Sequence, residues 1–300
     1  MKTCLIIGVN SFTGFYVGEA FKKNGYNVVG TALSKSNEKC RNVSTIYKMN
    51  ILNYDNISDV LQKVQPDIVV HFAGVSFVIS DEVSQFYDVH IIGTRNLLAA
   101  LAEHNIPVSK VILASSGQVY GHASHPAETT ETLPVNDYAV SKLAMEYMAK
   151  LWSDKLPILI TRPFNCVGIG QAEHFLVPKI LSAFVSQRPE VELGQIDLAR
   201  DFLDIRFAAE CYLALAEEGQ VGETYNISSG KSNSIAYIIK VLSYVSSFSV
   251  KIKQNIKFVR QNDPLSIAGD NSKIMKLKKA PKPIPLEETL KWMYYNANRN

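Results

Sequence analysis

Short apolar runs alternate with stretches of helical period along the first half of the chain. Thr3–Ile7 is an apolar run of strand length. Thr13–Asn24 repeats its apolar positions every three to four residues and stops at Asn24-Gly25, a helix C-terminal signal. Asn27–Thr31 predicts a second strand, Asp55–Val64 a helix and Asp67–Phe72 a buried strand. Glu82–His104 predicts one long helix; after Pro107 come a strand over Lys110–Ala114, a helix over Asp137–Trp152 and a strand over Pro157–Thr161. Strands alternating with helices imply βαβ units and a parallel sheet covered on both faces. With right-handed crossovers this predicts an α/β, Rossmann-type doubly wound sheet. After Arg162 the alternation loosens: Gly168 and Gly170 appear, then Pro281, Pro283 and Pro285 before a helix over Leu286–Tyr295. The pattern predicts a nucleotide-binding domain over residues 1–165, with segments near 195–228 returning to it. The rest of 166–300 forms a smaller C-terminal substrate-binding lobe.

Composition narrows the class. The chain has 300 residues, 47% hydrophobic and 20% charged, with a formal net charge of +3. That charge is too small to argue for nucleic acid or a membrane surface. The lysines at 273, 276, 278, 279 and 282 read as a solvated face. Cys4, Cys40, Cys166 and Cys211 form no C-x-x-C pair and suit neither zinc nor a disulfide framework. Cys4 and Cys211 lie in apolar runs and are expected in the core. A reducing compartment fits. Gly8 interrupts the first apolar run before it could serve as a signal segment, and no stretch reaches the ~18 apolar residues of a membrane span. A soluble cytoplasmic protein is expected, without metal.

The first strand runs into Gly8-Val9-Asn10-Ser11-Phe12-Thr13-Gly14. A glycine turn between a strand and a helix N-terminus favours a pyrophosphate, because free backbone N–H groups and the helix dipole both attract an anion. Ser11 stands where the familiar dinucleotide spacing has its middle glycine. After the second strand, Thr31, Ser34 and Lys35 provide two hydroxyls and an ammonium and no acid. An acid there would hold the ribose 2′-hydroxyl of NAD and repel a 2′-phosphate. NADP(H) is therefore the expected cofactor, with NAD(H) possible.

Tyr138 and Lys142, in YAVSK, share one helix face at i and i+4. A neighbouring ammonium is expected to favour the phenolate, which lets the pair exchange a proton near neutral pH. SSGQVYG, Ser115–Gly121, follows the predicted strand Lys110–Ala114, which sets Ser116 at a strand C-terminus, the edge where open α/β sheets bind ligands. Ser116 is placed to hydrogen-bond a substrate carbonyl beside Tyr138.

Jointly these motifs resemble the extended short-chain dehydrogenase/reductase family over essentially the whole chain. The Gly8–Gly14 turn, VVHFAG at Val69–Gly74, SSGQVYG, YAVSK, RPFN at Arg162–Asn165 and RDFLD at Arg200–Asp204 fall in family order. The resemblance implies Ser116, Tyr138 and Lys142 as catalytic residues acting on a sugar carbonyl. It adds Asn50, Ile51, Phe72, Ala73, Gly74 and Pro163 to Gly8, Ser11, Phe12, Thr13 and Gly14 around the cofactor. For the substrate it implies Ser76, Gln118, Asn165, Lys179, Arg200 and Arg260, the two arginines toward a nucleotide-sugar diphosphate. His90 stands where the family has asparagine. Arg206-Phe207 replaces a common acid-containing pair, a change the sequence does not explain.

The 4,6-dehydratases of that family carry an acid just after the catalytic Ser/Thr; here those positions are Gly117 and Gln118. Glutamine cannot supply a proton at neutral pH, so hydride transfer without elimination is expected. The longer stretches YAVSKLAME, RPFNCVGIGQ and LGQIDLARDFLD are similar to the GDP-4-keto-6-deoxy-D-mannose reductases. That similarity implies NADPH-dependent reduction of the C4 keto group of a GDP-linked 4-keto-6-deoxy sugar for bacterial surface polysaccharide synthesis. The products in view are GDP-D-rhamnose or a 6-deoxyheptose analogue. A nucleotide-sugar 4-epimerase with tightly held NAD, and a catalytically silent NADP-binding sensor or scaffold, are the alternatives. The two long helices are expected to pair across a homodimer as a four-helix bundle, on the apolar positions Ile91, Ile92, Leu97, Leu98, Leu101, Leu143, Met145, Met148 and Leu151.

Overall fold

A computed structural model of the chain describes residues 1–34, 43–75, 82–255, 258 and 264–297. Seven parallel strands form the central sheet: β1 (Thr3–Ile7), β2 (Asn27–Ala32), β3 (Thr45–Lys48), β4 (Ile68–His71), β5 (Lys110–Ala114), β6 (Ile158–Pro163) and β9 (Thr224–Ile227). Their order is β9-β6-β5-β4-β1-β2-β3, so strand order reverses between β1 and β4. Alternation along β1 shows how the sheet is buried. Cys4 and Ile6 face one helical layer, containing α1 (Phe12–Lys23) and α7 (Ile205–Glu218). Leu5 and Ile7 face the other, containing α2 (Tyr54–Val64), α4 (Thr94–Glu103) and α5 (Asp137–Lys150). Strands buried on both faces read as continuous apolar runs, as these do. β3 has no counterpart in the predicted pattern, because a four-residue edge strand with both ends exposed carries little apolar signal.

The expected single helix over Glu82–His104 is broken. α3 (Ser84–Tyr87) leads into a π-helical turn, Asp88–Gly93, before α4 resumes. The extra residue of a π turn rotates the side chains that follow it, and such turns concentrate at functional sites. Here the turn buries His90 and sets Gly93 against Ile51, where a β-carbon would lie 2.7 Å from the Ile51 side chain.

A second core packs α6 (Leu176–Val185), α8 (Ile235–Ser246) and α9 (Leu286–Asn296) around β7 (Glu190–Leu193). The two bodies are tied at Asp204, the N-cap of α7. Its carboxylate accepts two bonds from the Arg206 guanidinium, at 2.9 and 2.6 Å, and one from the Thr289 hydroxyl of α9 at 2.8 Å. The same guanidinium lies 3.8 Å from the ring centre of Trp292. Arg206, unexplained by the sequence, thus fastens the C-terminal helix to the sheet domain.

The packing corrects the argument made for an intersubunit bundle. Leu97, Leu98 and Leu101 are fully buried within the subunit and Met145 nearly so. Those residues are core. Ile92, in the π-helical turn, and Val140, Tyr147 and Leu151, on and just after α5, are exposed.

Candidate active site

A cleft of about 1060 Å³ opens at the C-terminal ends of the sheet strands and reaches from the glycine turn to the second lobe. Ligands bind at this edge in open α/β sheets, at the point where strand order reverses. Ser11, Phe12 and Thr13 line one end. Ser11 caps α1, its hydroxyl accepting the Gly14 N–H at 3.1 Å. The serine therefore satisfies one amide of the first turn and leaves the helix N-terminus facing the cleft. Gly8 has φ +82°, and a β-carbon there would sit 3.0 Å from the Ala73 amide. A β-carbon on Gly14 would lie 2.4 Å from the Gly8 carbonyl. These two glycines let the turn close as tightly as a phosphate-binding turn must.

The other cofactor positions divide. Phe72, Gly74 and Pro163 line the cleft. Ala73 packs partly into the core beside them. Thr31 is buried, and its carbonyl accepts the Gly8 and Val9 amides at 3.1 and 3.0 Å. It therefore braces the glycine turn instead of presenting a hydroxyl to solvent. Ser34 is exposed just beyond β2, and Lys35 lies outside the described residues. Ile51 is core, and Asn50 turns the chain there by accepting the Leu52 N–H.

The three expected catalytic residues meet mid-cleft. Ser116, at the end of β5, takes the Gln118 N–H at 3.1 Å on its hydroxyl. Its side chain is also hydrogen-bonded to Tyr138, in the first turn of α5. Lys142, one turn on, donates to the Ala114 carbonyl at 2.8 Å. Burial pushes the Tyr138 phenol above its ordinary value, and the Ser116 bond opposes this. Burial also depresses the Lys142 ammonium to about 8, while Glu146 pulls it back up. The expected lowering of Tyr138 by Lys142 is not what this geometry gives. The ammonium is committed to a backbone carbonyl, and desolvation of the phenol dominates.

His90, not assigned a role from sequence, lies against this group. Its ring meets Tyr138 edge-on at 5.5 Å, and its Nδ1 is 2.9 Å from the Ser141 hydroxyl. Burial and the nearby Lys142 hold its pKa down at about 2. His71, beneath, is likewise held at about 3, chiefly by burial. The signal for His90 was its place in VHIIGT, where the family has asparagine.

Of the substrate positions, Gln118, Asn165 and Arg200 line the cleft. Gln118 accepts from the Asn136 amide at 3.3 Å. Asn165 donates to the Asp201 carbonyl at 3.0 Å. Arg200, in β8 (Ala199–Arg200), donates from one nitrogen to the carbonyls of Ala199 and Pro264. Lys179 does not line the cleft; its ammonium lies 4.2 Å from the centre of the Phe258 ring. Ser76 and Arg260 lie outside the described residues. Phe164, which sequence reasoning passed over within RPFN, lines the cleft against Gly117. Among the described lining residues there is no aspartate or glutamate.

A doubly wound sheet, a capped glycine turn and a Ser–Tyr–Lys group at the strand ends define a dinucleotide-dependent enzyme of the short-chain dehydrogenase/reductase type. Residues 4–228 match the NAD dependent epimerase/dehydratase family, and the chain belongs to it. It is 35% identical over 229 residues to the GDP-6-deoxy-D-talose 4-dehydrogenase of Aggregatibacter actinomycetemcomitans, covering 76% of this chain and 78% of the relative. It is 30% identical over 241 residues to the GDP-6-deoxy-D-mannose reductase of Pseudomonas aeruginosa, covering 76% and 79%. The solved structure of RMD from Pseudomonas aeruginosa complexed with NADPH superposes with a TM-score of 0.84 at 25% identity, covering 99% of this chain and 97% of that one.

Proposed function

We propose that the protein is an NADPH-dependent reductase of the C4 keto group of a GDP-linked 4-keto-6-deoxy sugar, with GDP-4-keto-6-deoxy-D-mannose as substrate and GDP-D-rhamnose as product. The observation that carries this reading is a cleft that unites Ser116, Tyr138 and Lys142 yet has no carboxylate among its described lining residues. Elimination needs an acid and a base at the sugar; ketone reduction needs a hydride, one acid and a polarising donor. The two relatives named above act on GDP-6-deoxy sugars and support the nucleotide and the oxidation level.

The glycine turn and α1 N-terminus would hold the cofactor's pyrophosphate, and Gly74, Pro163 and Lys142 its nicotinamide half. When bound, the cofactor supplies the hydride. Tyr138 gives its phenolic proton to the carbonyl oxygen, which Ser116 holds, and Lys142 stabilises the phenolate left behind. The absence of an acid across Thr31–Ser34 supports NADPH as the reductant. The exposed side chains Ile92, in the π-helical turn, and Val140, Tyr147 and Leu151, on and just after α5, support a homodimer closed through the Glu82–His104 segment and α5.

The test is a panel of nucleotide-linked 4-keto-6-deoxy sugars with NADPH or NADH, followed by absorbance and with products identified by NMR. NADPH should be oxidised one for one with the GDP-linked ketone. The NMR reads the C4 configuration, which separates a mannose-configured from a talose-configured product. Interconversion of C4 epimers by protein that purifies with NAD bound, without NADPH consumption, would overturn the proposal in favour of an epimerase.

A further inference from the structure

His90 sits in the π-helical turn, 1% exposed, with both ring nitrogens engaged. The Val75 N–H donates to its Nε2 at 3.2 Å. On the other side, the Ser141 hydroxyl spends its one proton on the Tyr138 carbonyl, at 2.8 Å. The bond between Ser141 Oγ and His90 Nδ1 therefore needs its proton from the imidazole. The ring is the neutral Nδ1–H tautomer, and one chain of hydrogen bonds runs from the Val75 amide through His90 and Ser141 to the backbone of Tyr138. Rings reinforce it: Phe86 stacks on His90 at 6.1 Å and meets Tyr138 edge-on at 5.9 Å. Gly74 completes the contact, since a β-carbon there would lie 2.9 Å from His90 Nε2 and 3.6 Å from the Lys142 ammonium.

We infer that His90 is a positioning residue. It ties the cleft wall at Gly74–Val75 to the backbone of Tyr138, so that wall and acid hold one register, a role that rests on Tyr138 being the acid of a ketoreductase. The charged or titratable groups around the imidazole are Lys142, His71 and Tyr138; the first two disfavour a second proton, and Tyr138 carries no negative charge while its phenol is protonated. A protonated ring would present a donor to the Val75 N–H and break the chain. The tie therefore holds only while the ring is neutral.

Two arms test this, the first without substrate. In ¹⁵N-imidazole NMR, the His90 signal, assigned by its loss in His90→Asn, should show a protonated Nδ1 and a bare Nε2, with no titration between about pH 5 and 8. The Val75 amide should be protected from exchange in wild type and in His90→Asn, whose carboxamide can accept from Val75 and donate to Ser141. Protection should be lost in His90→Ala and in His90→Phe, which keeps a ring but no polar atom. An Nε2–H tautomer, a titrating ring, or a Val75 amide indifferent to these changes would overturn the inference. In the second arm, His90→Ala and His90→Phe should lower kcat by about 10- to 100-fold with KM little changed, as for a misplaced acid. His90→Asn should restore most of the rate. His90→Phe as active as His90→Asn, or His90→Ala at wild-type kcat, would reduce His90 to packing. If wild type reduces no ketone in the panel, the functional reading fails while the NMR arm still decides the tie.

Discussion

Replacing Glu146 by glutamine removes one negative charge from the centre of the molecule and should be felt in both stability and catalysis. Glu146 is 2% exposed and grips Arg162 with two bonds, Nε to Oε1 at 3.0 Å and Nη2 to Oε2 at 2.6 Å. The remaining Arg162 nitrogen donates to the Tyr120 hydroxyl at 2.9 Å, and that hydroxyl donates on to Asn226 at 2.7 Å. In Glu146→Gln the amide oxygen keeps one guanidinium bond. The amide NH₂ then faces the other N–H, donor against donor, and the guanidinium is left buried without its counter-charge. Breaking a buried pair from one side costs about 3–5 kcal/mol. For a chain of this size that corresponds to a fall in Tm of very roughly 6–10 °C. The double variant Glu146→Leu/Arg162→Met, which removes both charges, should lose less than Glu146→Gln alone, the non-additivity expected of a coupled pair.

The catalytic effect has a definite sign. Lys142 lies one helical turn before Glu146, and that carboxylate raises an ammonium that burial has depressed to about 8. Losing that charge weakens the ammonium and lowers its pKa further below the ordinary lysine value. Because the carboxylate favours the protonated amine, its removal moves the alkaline limb of kcat/KM to lower pH. Thermal unfolding monitored by circular dichroism and a pH profile of NADPH oxidation read the two effects. A Tm within 2 °C of wild type, or an alkaline limb that stays put or rises, would refute the reasoning.

Tyr138→Phe should lose about two to four orders of magnitude in rate while NADPH affinity, measured by fluorescence titration, stays near wild type; a rate close to wild type would remove the tyrosine from the chemistry. Gly117→Asp should yield no 4-keto sugar from GDP-mannose and should slow reduction, because its β-carbon would lie 3.0 Å from the Phe164 ring. Product NMR showing elimination in that variant would contradict this. Leu151→Glu combined with Tyr147→Glu should convert a dimer to a monomer in sedimentation at micromolar concentration; a wild-type chain that is already monomeric would refute the proposed interface.

The sheet was legible because its strands announce themselves. Thr3–Ile7 and Lys110–Ala114 were predicted with the bounds they have in the fold, since strands buried on both faces are continuous apolar runs. The edge strand Thr45–Lys48 and the π turn at Asp88–Gly93 were not legible, the first for want of apolar residues and the second because a one-residue insertion hardly disturbs a hydrophobic stripe. Apolar periodicity also misled. Leu97, Leu98 and Leu101 were expected in an intersubunit bundle, yet α4 buries all three against its own subunit. Side-chain commitments escape sequence altogether. Nothing in GTALS says that Thr31 braces the glycine turn, and nothing in YAVSK says that the lysine is pledged to the Ala114 carbonyl.

Gly117 shows how an absence in the sequence acquires a cause in the fold. The missing acid could be read from SSGQVYG, but a missing residue is weak grounds for a reaction class, since another element could supply the proton. The cleft narrows that escape: among the described lining residues no carboxylate is present. Phe164 narrows it further. Its ring stacks parallel to Tyr120 at 6.5 Å and backs onto Gly269, where a β-carbon would come within 2.4 Å of it. Pinned from two sides, the ring has little freedom to yield to a side chain grown at position 117, and overpacking of this kind typically costs about 1–3 kcal/mol. A glycine at 117 and a glycine at 269 are thus both needed to seat one aromatic wall beside Ser116. That wall presents an apolar face beside Ser116, and under the proposed function it leaves Tyr138 as the group to protonate the sugar carbonyl.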